Sequence, residues 1–371
     1  MMHKEGNMTT QEENIIWLDS FEFLTYTKKS KLLELFKGRD IRGLLKDKKR
    51  ECSTVITEDE YDKLQKNIGE DYFIALLKEY EKKEIKILTF YSYDYPMLLR
   101  EIPNPPLILY CKGNLQLLDT ICCGIVGTRK PSEYGSLITK KFATELANSS
   151  VTIVSGMASG IDTIAHEATL KTGGATVAVL AGGFGHIYPA HNQNLFKRII
   201  ENNLVITEHK PSIKPQPYLF PIRNRIVAGL SKAILIPEAG LNSGSMHTKN
   251  YAADYGREIF AIPGRINSPE SEGTNNIIKE CQACMCTDVT QITDFLGVIN
   301  KKNEPKPAFQ LDMTEQTILN YILAEKKTYQ EIADYTGISS RELNTILFNM
   351  QLKGYIDKLA GNSYISLIKL N

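Results

Sequence analysis

The sequence is short of most features that mark specialised protein classes. It has one tryptophan and an odd number of cysteines, seven in 371 residues. Two of them, Cys122 and Cys123, are adjacent and fall in an expected strand. Such a set is not a disulfide framework, so a reducing, cytoplasmic setting is the expectation. No apolar run reaches the roughly 18 residues that a membrane span needs, so no membrane partner is expected. The opening residues, MMHKEGNMTTQEEN, hold no apolar core of the kind a secretory signal requires. Neither charge sign is in excess, with 44 Lys and Arg against 43 Asp and Glu. What remains is ordinary globular composition, 42% hydrophobic and 23% charged, of a length for two or three domains. A chain of that size buries a large core without disulfides or metals.

Two nucleotide motifs are also missing. There is no G-x-x-x-x-G-K-S/T, so a P-loop nucleotidase is not supported. A dinucleotide fold wants G-x-G-x-x-G after its first strand and an acid at the end of its second. Here Gly124 and Gly127 are misplaced, and Ser155 stands where the acid belongs. No cofactor is expected.

Charge is unevenly spread. From Ala168 to Pro237 the only acids are Glu201 and Glu208. The bases there are Lys171, Lys197, Arg198, Lys210, Lys214, Arg223, Arg225 and Lys232. A buried parallel sheet accounts for missing carboxylates but not for added bases. A locally cationic surface for a polyanion is the expectation.

The pattern divides the chain into five parts. Residues 1–14 read as a disordered tail. Residues 15–85 carry apolar residues at helical spacing, such as Leu32, Leu33, Leu35 and Phe36, and read as a small helical domain. Residues 86–298 read as an α/β domain with an extended, proline-broken lead-in to Leu117. From Ile121 its β-branched runs alternate with helical stretches, which predicts a Rossmann-like, mostly parallel, doubly wound sheet. Residues 299–311 are a polar linker with lysines and prolines. Residues 312–371 read as three helices and a short hairpin, a winged-helix-like domain, with Thr314 as the expected cap.

In an open α/β sheet, ligands sit beyond the carboxyl ends of the strands. Those ends here carry small residues: Gly127-Thr128-Arg129, Ser155-Gly156, Gly182-Gly183, and a loop with Ser243-Gly244-Ser245. Glycine lets backbone approach an anion, and helix N-termini offer it N–H groups and a favourable dipole. A second cluster joins Tyr218 and Phe220 to Arg223, Asn224 and Arg225. Arg forks suit phosphate oxygens, and aromatic faces stack unpaired bases. The bland reading pairs Arg225 with a carboxylate and buries Phe220 in the core. Cys281, Cys284 and Cys286 lack the ligands of a zinc site, so buried thiols and no metal are expected. Asp162 and His166, one helical turn apart, read as a capping and packing pair.

These residues carry a resemblance. Gly127-Thr128-Arg129-Lys130-Pro131-Ser132-Glu133-Tyr134-Gly135 resembles the G-S/T-R-x-x-S-x-Y-G signature of the DNA-processing protein A (DprA, or Smf) family. Ser155 to Asp162 with Ala165-His166, Tyr188-Pro189 with Asn192, Phe220 to Arg225, Glu238-Ala239 and Gly273-Thr274-Asn275 follow in family order. The resemblance covers about Ile87 to Cys286. It implies single-stranded DNA binding on the α/β domain, loading of the RecA recombinase onto that DNA, and a homodimer. It points to Arg129 as a phosphate contact and Phe220 as a stacking group, with Gly127, Gly156, Gly182 and Ser243-Gly244-Ser245 lining the pocket. The family often has a lysine a few residues before the phenylalanine; here Gln216-Pro217-Tyr218 stand there, with Lys214 nearby.

Thr128, Ser132 and Asn224 complete the expected site, and a binding protein rather than an enzyme is expected. Two other classes compete. A nucleoside-monophosphate phosphoribohydrolase needs a glutamate soon after its glycine loop, where this chain has Met246, His247 and Thr248. A duplex-binding regulator needs a cationic recognition helix, and Ser339–Leu352 has Arg341 alone.

Overall fold

The β-branched runs form strands where their alternation with helical stretches placed them. The computed structural model describes residues 8–298, 311–323, 325–359 and 361–367. Among these, one sheet holds β1 (Lys86–Thr89), β2 (Ile108–Gly113), β3 (Cys122–Ile125), β4 (Thr152–Ser155), β5 (Thr176–Val179), β6 (Leu204–Thr207), β7 (Ala233–Ile236), β8 (Glu258–Ala261) and β9 (Cys284–Met285). Its order is β1-β2-β6-β5-β4-β3-β7-β8-β9. β2 runs antiparallel to β1 and β6, and the other pairs are parallel. This is the expected α/β, Rossmann-like sheet.

Strand alternation assigns the two faces. Cys122, Val154, Ile234 and Ile236 share one core with Ile226 and Leu230 of the helix Leu219–Leu230. Cys123, Ile125, Ile153 and Leu235 face the other way, onto Phe142 and Leu146 of Glu133–Asn148 and Ala165 of Ile161–Lys171. Both faces are covered, as parallel strands without polar alternation require. From β3 the chain builds outward through β4, β5 and β6, then returns to place β7 on the other side of β3. The carboxyl ends of β3 and β7 therefore flank a topological switch point.

Two boundaries differ from expectation. Residues 10–14 are helical, within Thr10–Asp19, because Thr9 and Glu12 form a reciprocal capping box; residues 1–7 lie outside the described residues. The helices before β1 are not a separate domain. Trp17, Leu32, Phe36 and Leu64 share one core with Ile108 and Tyr110 of β2. Tyr110 donates to Asp19 at 2.7 Å, which ties the sheet to the first helix. The lead-in thus supplies the antiparallel edge, β1 and β2, on which these helices rest.

The described residues form two compact units, 8–298 and those from 311 onward. The expected linker, apart from Leu311, lies outside the described residues. The second unit has helices Met313–Ile322, Tyr329–Thr336 and Ser340–Leu352, and an antiparallel sheet of β10 (Lys327–Thr328), β11 (Ile356–Leu359) and β12 (Ser363–Ser366). Its first helix is capped by Asp312, not Thr314, since Asp312 and Glu315 close a capping box. Among the described residues no helix is long and apolar enough to cross a membrane.

Candidate functional site

The loop after β3 is fixed before it carries any function. The Thr128 N–H donates to the Glu238 carbonyl at 2.9 Å, and the Ile161 N–H donates to the Thr128 carbonyl at 3.2 Å. Glu238 is fully buried at the end of β7. Its carboxylate accepts from the Ser132 hydroxyl at 2.6 Å and the Ser132 N–H at 2.7 Å. Ser132 in turn caps Glu133–Asn148 by accepting from the Gly135 N–H at 3.0 Å. Ser132, expected as a phosphate contact, is an anchor instead. Gly160 must be glycine: its φ is +83°, and a Cβ there would lie 2.4 Å from the Thr128 carbonyl oxygen.

This loop forms one wall of an open cleft of about 700 Å³ at the switch point. Gly127, Thr128 and Arg129 line it from β3, and Ser243, Gly244 and Ser245 line it from the loop after β7. Phe220, Arg223 and Asn224 come from the helix Leu219–Leu230. Residues more than 100 positions apart in the chain are thus brought together. The Arg129 guanidinium lies 5.3 Å from the centre of the Phe220 ring. The Tyr188 ring meets Phe220 edge-on, centroids 5.4 Å apart. Arg129 and Tyr188 are exposed, so this cation–aromatic rim faces solvent. On the opposite wall the Ser243 and Ser245 hydroxyls are 2.8 Å apart, at the start of the helix Ser245–Asp254.

Behind the cleft lies a buried polar cluster. Asp162 accepts from the N–H groups of Gly156 at 3.0 Å and Ala158 at 3.4 Å. Arg223, buried, donates to the carbonyls of Gly156 and Val179, and to Asn224 Oδ1 at 3.1 Å. Burial pushes the Asp162 carboxyl up, against the pull of Arg223. Burial also lowers Arg223 to about 10, with Asp162 opposing, so the guanidinium stays charged at neutral pH. Gly156 is needed here because a Cβ would sit 2.4 Å from the Arg223 guanidinium. Asp162 is the one carboxylate among the cleft-lining residues, and it already holds two backbone N–H groups.

His166 does not pair with Asp162. Its Nδ1 is 2.7 Å from the Thr176 hydroxyl, which itself donates to the Ile153 carbonyl. Nδ1 therefore carries the proton and donates to Thr176. Burial, with Arg223 adding to it, lowers His166 to about 3. The folded state then binds fewer protons than the unfolded chain between that value and about 6.5. Stability is complete above that window and falls as pH drops through it. The expected loss from this group at pH 5 is about 2 kcal/mol. His166→Asn keeps a donor for Thr176 and removes the titration. Its melting midpoint should fall less than the parent's between pH 7.5 and 5, and equal falls would refute the assignment.

The remaining expected site residues stand elsewhere. Gly182 packs on Pro215, where a Cβ would come within 2.8 Å of the backbone. Lys214 is exposed but does not line the cleft. Arg225 is buried and ion-paired with Glu208, the bland alternative. The cationic stretch is likewise no continuous surface. Lys210 reaches Glu22 at 3.5 Å, Arg198 reaches Glu167 at 3.6 Å, and Arg223 is buried. Of the three late cysteines only Cys286 is buried; Cys281 and Cys284 are exposed. The helix Ser340–Leu352 exposes Phe348 and Leu352, apolar groups, beside Arg341.

Sequence reading missed Tyr188, His247 and Thr248 as cleft residues. Thr248 follows Gly244 by one helical turn, a spacing that places it on the same side of the helix start. Nothing in the sequence linked Tyr188 to Phe220.

The family model for DNA recombination-mediator protein A matches residues 86–297. The chain is similar to DNA processing protein DprA of Bacillus subtilis, 38% identical over 219 residues, covering 58% of this chain and 74% of the relative. It is similar to Protein Smf of Synechocystis, 32% identical over 325 residues, covering 78% and 82%. The solved structure of DprA from Streptococcus pneumoniae superposes with a TM-score of 0.66 at 32% identity, covering 77% of this chain and 98% of that one. DNA processing protein A from Helicobacter pylori, described for its single-stranded DNA binding mode, superposes at 0.52 with 34% identity, covering 57% and 95%.

Proposed function

Because the chain belongs to the DNA recombination-mediator protein A family, we propose that its cleft binds single-stranded DNA and that the protein loads the RecA recombinase onto that strand. The observation that carries the binding is the Arg129–Phe220–Tyr188 rim opposite the Ser243–Ser245 loop. A guanidinium fork meets a phosphate, and the rings accept unpaired bases regardless of sequence. The Helicobacter relative's single-stranded DNA binding supports the same reading. RecA loading and a homodimer rest on family membership, as does action in the cytoplasm. The reading is of a protein that acts by binding: the one carboxylate among the cleft-lining residues, Asp162, is already held by two backbone N–H groups.

The test is a comparison of single and double strands over a range of salt. The single strand should bind tighter, and its affinity should fall as salt rises, by about 0.7 in logarithmic slope per phosphate contacted. Equal binding to duplex, retained by a fragment from residue 301 onward, would move the function to the second unit.

A further inference from the structure

We propose that the cleft is a receptacle for one whole nucleotide unit and therefore binds a free nucleoside 5′-monophosphate, phosphate against the start of Ser245–Asp254 and base against Phe220 and Tyr188. This rests on the single-stranded DNA reading of the same site.

The observation behind it is Thr248. Its side chain lines the cleft and is 1% exposed. Its hydroxyl has no hydrogen-bond partner among the described residues. A buried hydroxyl left unpaired is costly, and such groups in native proteins call for an explanation in a ligand, ion or water. Thr248 sits in the first turn of a ten-residue helix, where the dipole favours an anion. Ser245 opens that helix and Ser243 stands just before it; their hydroxyls are 2.8 Å apart, and Ser243 Oγ also accepts from the Ser245 N–H at 3.4 Å. Two hydroxyl groups share one bond there, so one proton remains to donate. Three hydroxyl-bearing residues thus line the cleft at one helix start, and the proposed phosphate lies there.

The base position is fixed by the opposite rim. Phe220 and Tyr188 meet at a 68° interplanar angle, which makes a corner rather than a flat track. Arg129 lies over Phe220 and lines the same cleft. The floor is closed by Asp162 and Arg223. A volume of about 700 Å³ is in the range of small-ligand sites. A terminal phosphate carries up to two charges near pH 7, against one for an internal diester. The helix start and Arg129 gain from that extra charge.

Calorimetry of the full chain with dAMP, deoxyadenosine and inorganic phosphate tests this. dAMP should bind at least tenfold tighter than either part and displace a labelled oligonucleotide. Thr248→Val removes only the unpaired hydroxyl. It should weaken dAMP about tenfold while the melting midpoint holds or rises, since a purely structural threonine has no ligand affinity to lose. dAMP binding no tighter than phosphate or deoxyadenosine overturns the proposal, as does unchanged affinity in Thr248→Val. If oligonucleotide binds and dAMP does not displace it, the receptacle is wrong and strand binding stands. If dAMP binds and no strand does, strand binding is wrong and the receptacle stands.

Discussion

Replacing Arg129 with alanine is expected to weaken single-stranded DNA binding by roughly ten- to a hundredfold, the value of one charge-assisted phosphate contact of about 1.5–3 kcal/mol. The residue is exposed on the cleft rim and makes no ion pair among the described residues. Its loss should therefore leave the melting midpoint almost unchanged. The slope of affinity against salt should fall by about 0.7, because one counterion-releasing contact is gone. Arg129→Lys should recover part of the affinity through its charge, though not the fork that grips two oxygens. Phe220→Ala makes the contrast. It removes a stacking face worth roughly 1–3 kcal/mol per base, so it should weaken binding without changing the salt slope. Titrations of a labelled oligonucleotide at several salt concentrations measure both. Unchanged affinity and slope in Arg129→Ala would place the phosphate contact elsewhere.

The sheet was legible because buried parallel strands need continuous β-branched runs, and Thr176–Val179 or Ala233–Ile236 have no other use for them. The edge strands were not. Ile108–Gly113 follows Pro105 and Pro106, and both strands are short antiparallel pieces held at the sheet edge by pairing with each other and with Leu204–Thr207 and by packing against Trp17 and its neighbours. In the site, the small residues after β3 and β7 do line the cleft, whereas Gly156 lies behind it and Gly182 packs on Pro215. Cations were harder. Arg129, Arg223 and Arg225 are the same residue type within one family pattern. Burial separates them into a free rim group, a buried clamp and an ion pair with Glu208. That distinction comes from partners distant in the chain. Glu238 holding Ser132 is another such case, across 106 positions.

The clamp carries the largest stability effect. Arg223 satisfies the Gly156 and Val179 carbonyls and sits beside Asp162, all buried at the ends of β4 and β5. Arg223→Ala leaves two carbonyls unpaired and a buried carboxylate without its opposing charge. Breaking a buried pair in this way costs about 3–5 kcal/mol. In a unit of this size that is a fall in melting midpoint on the order of 5–10 °C. The carboxylate part of the penalty is separable. Asp162→Asn keeps an oxygen to accept from Gly156 and Ala158 and removes the charge. Added to Arg223→Ala, it should therefore restore a substantial part of the lost stability, although alone it should destabilise. Such non-additivity is what a double-mutant cycle measures for groups in contact. Additive losses would mean that Arg223 acts through its two carbonyls alone. A near-parental melting midpoint in Arg223→Ala would mean that the cluster is not what holds β4 and β5 under the cleft.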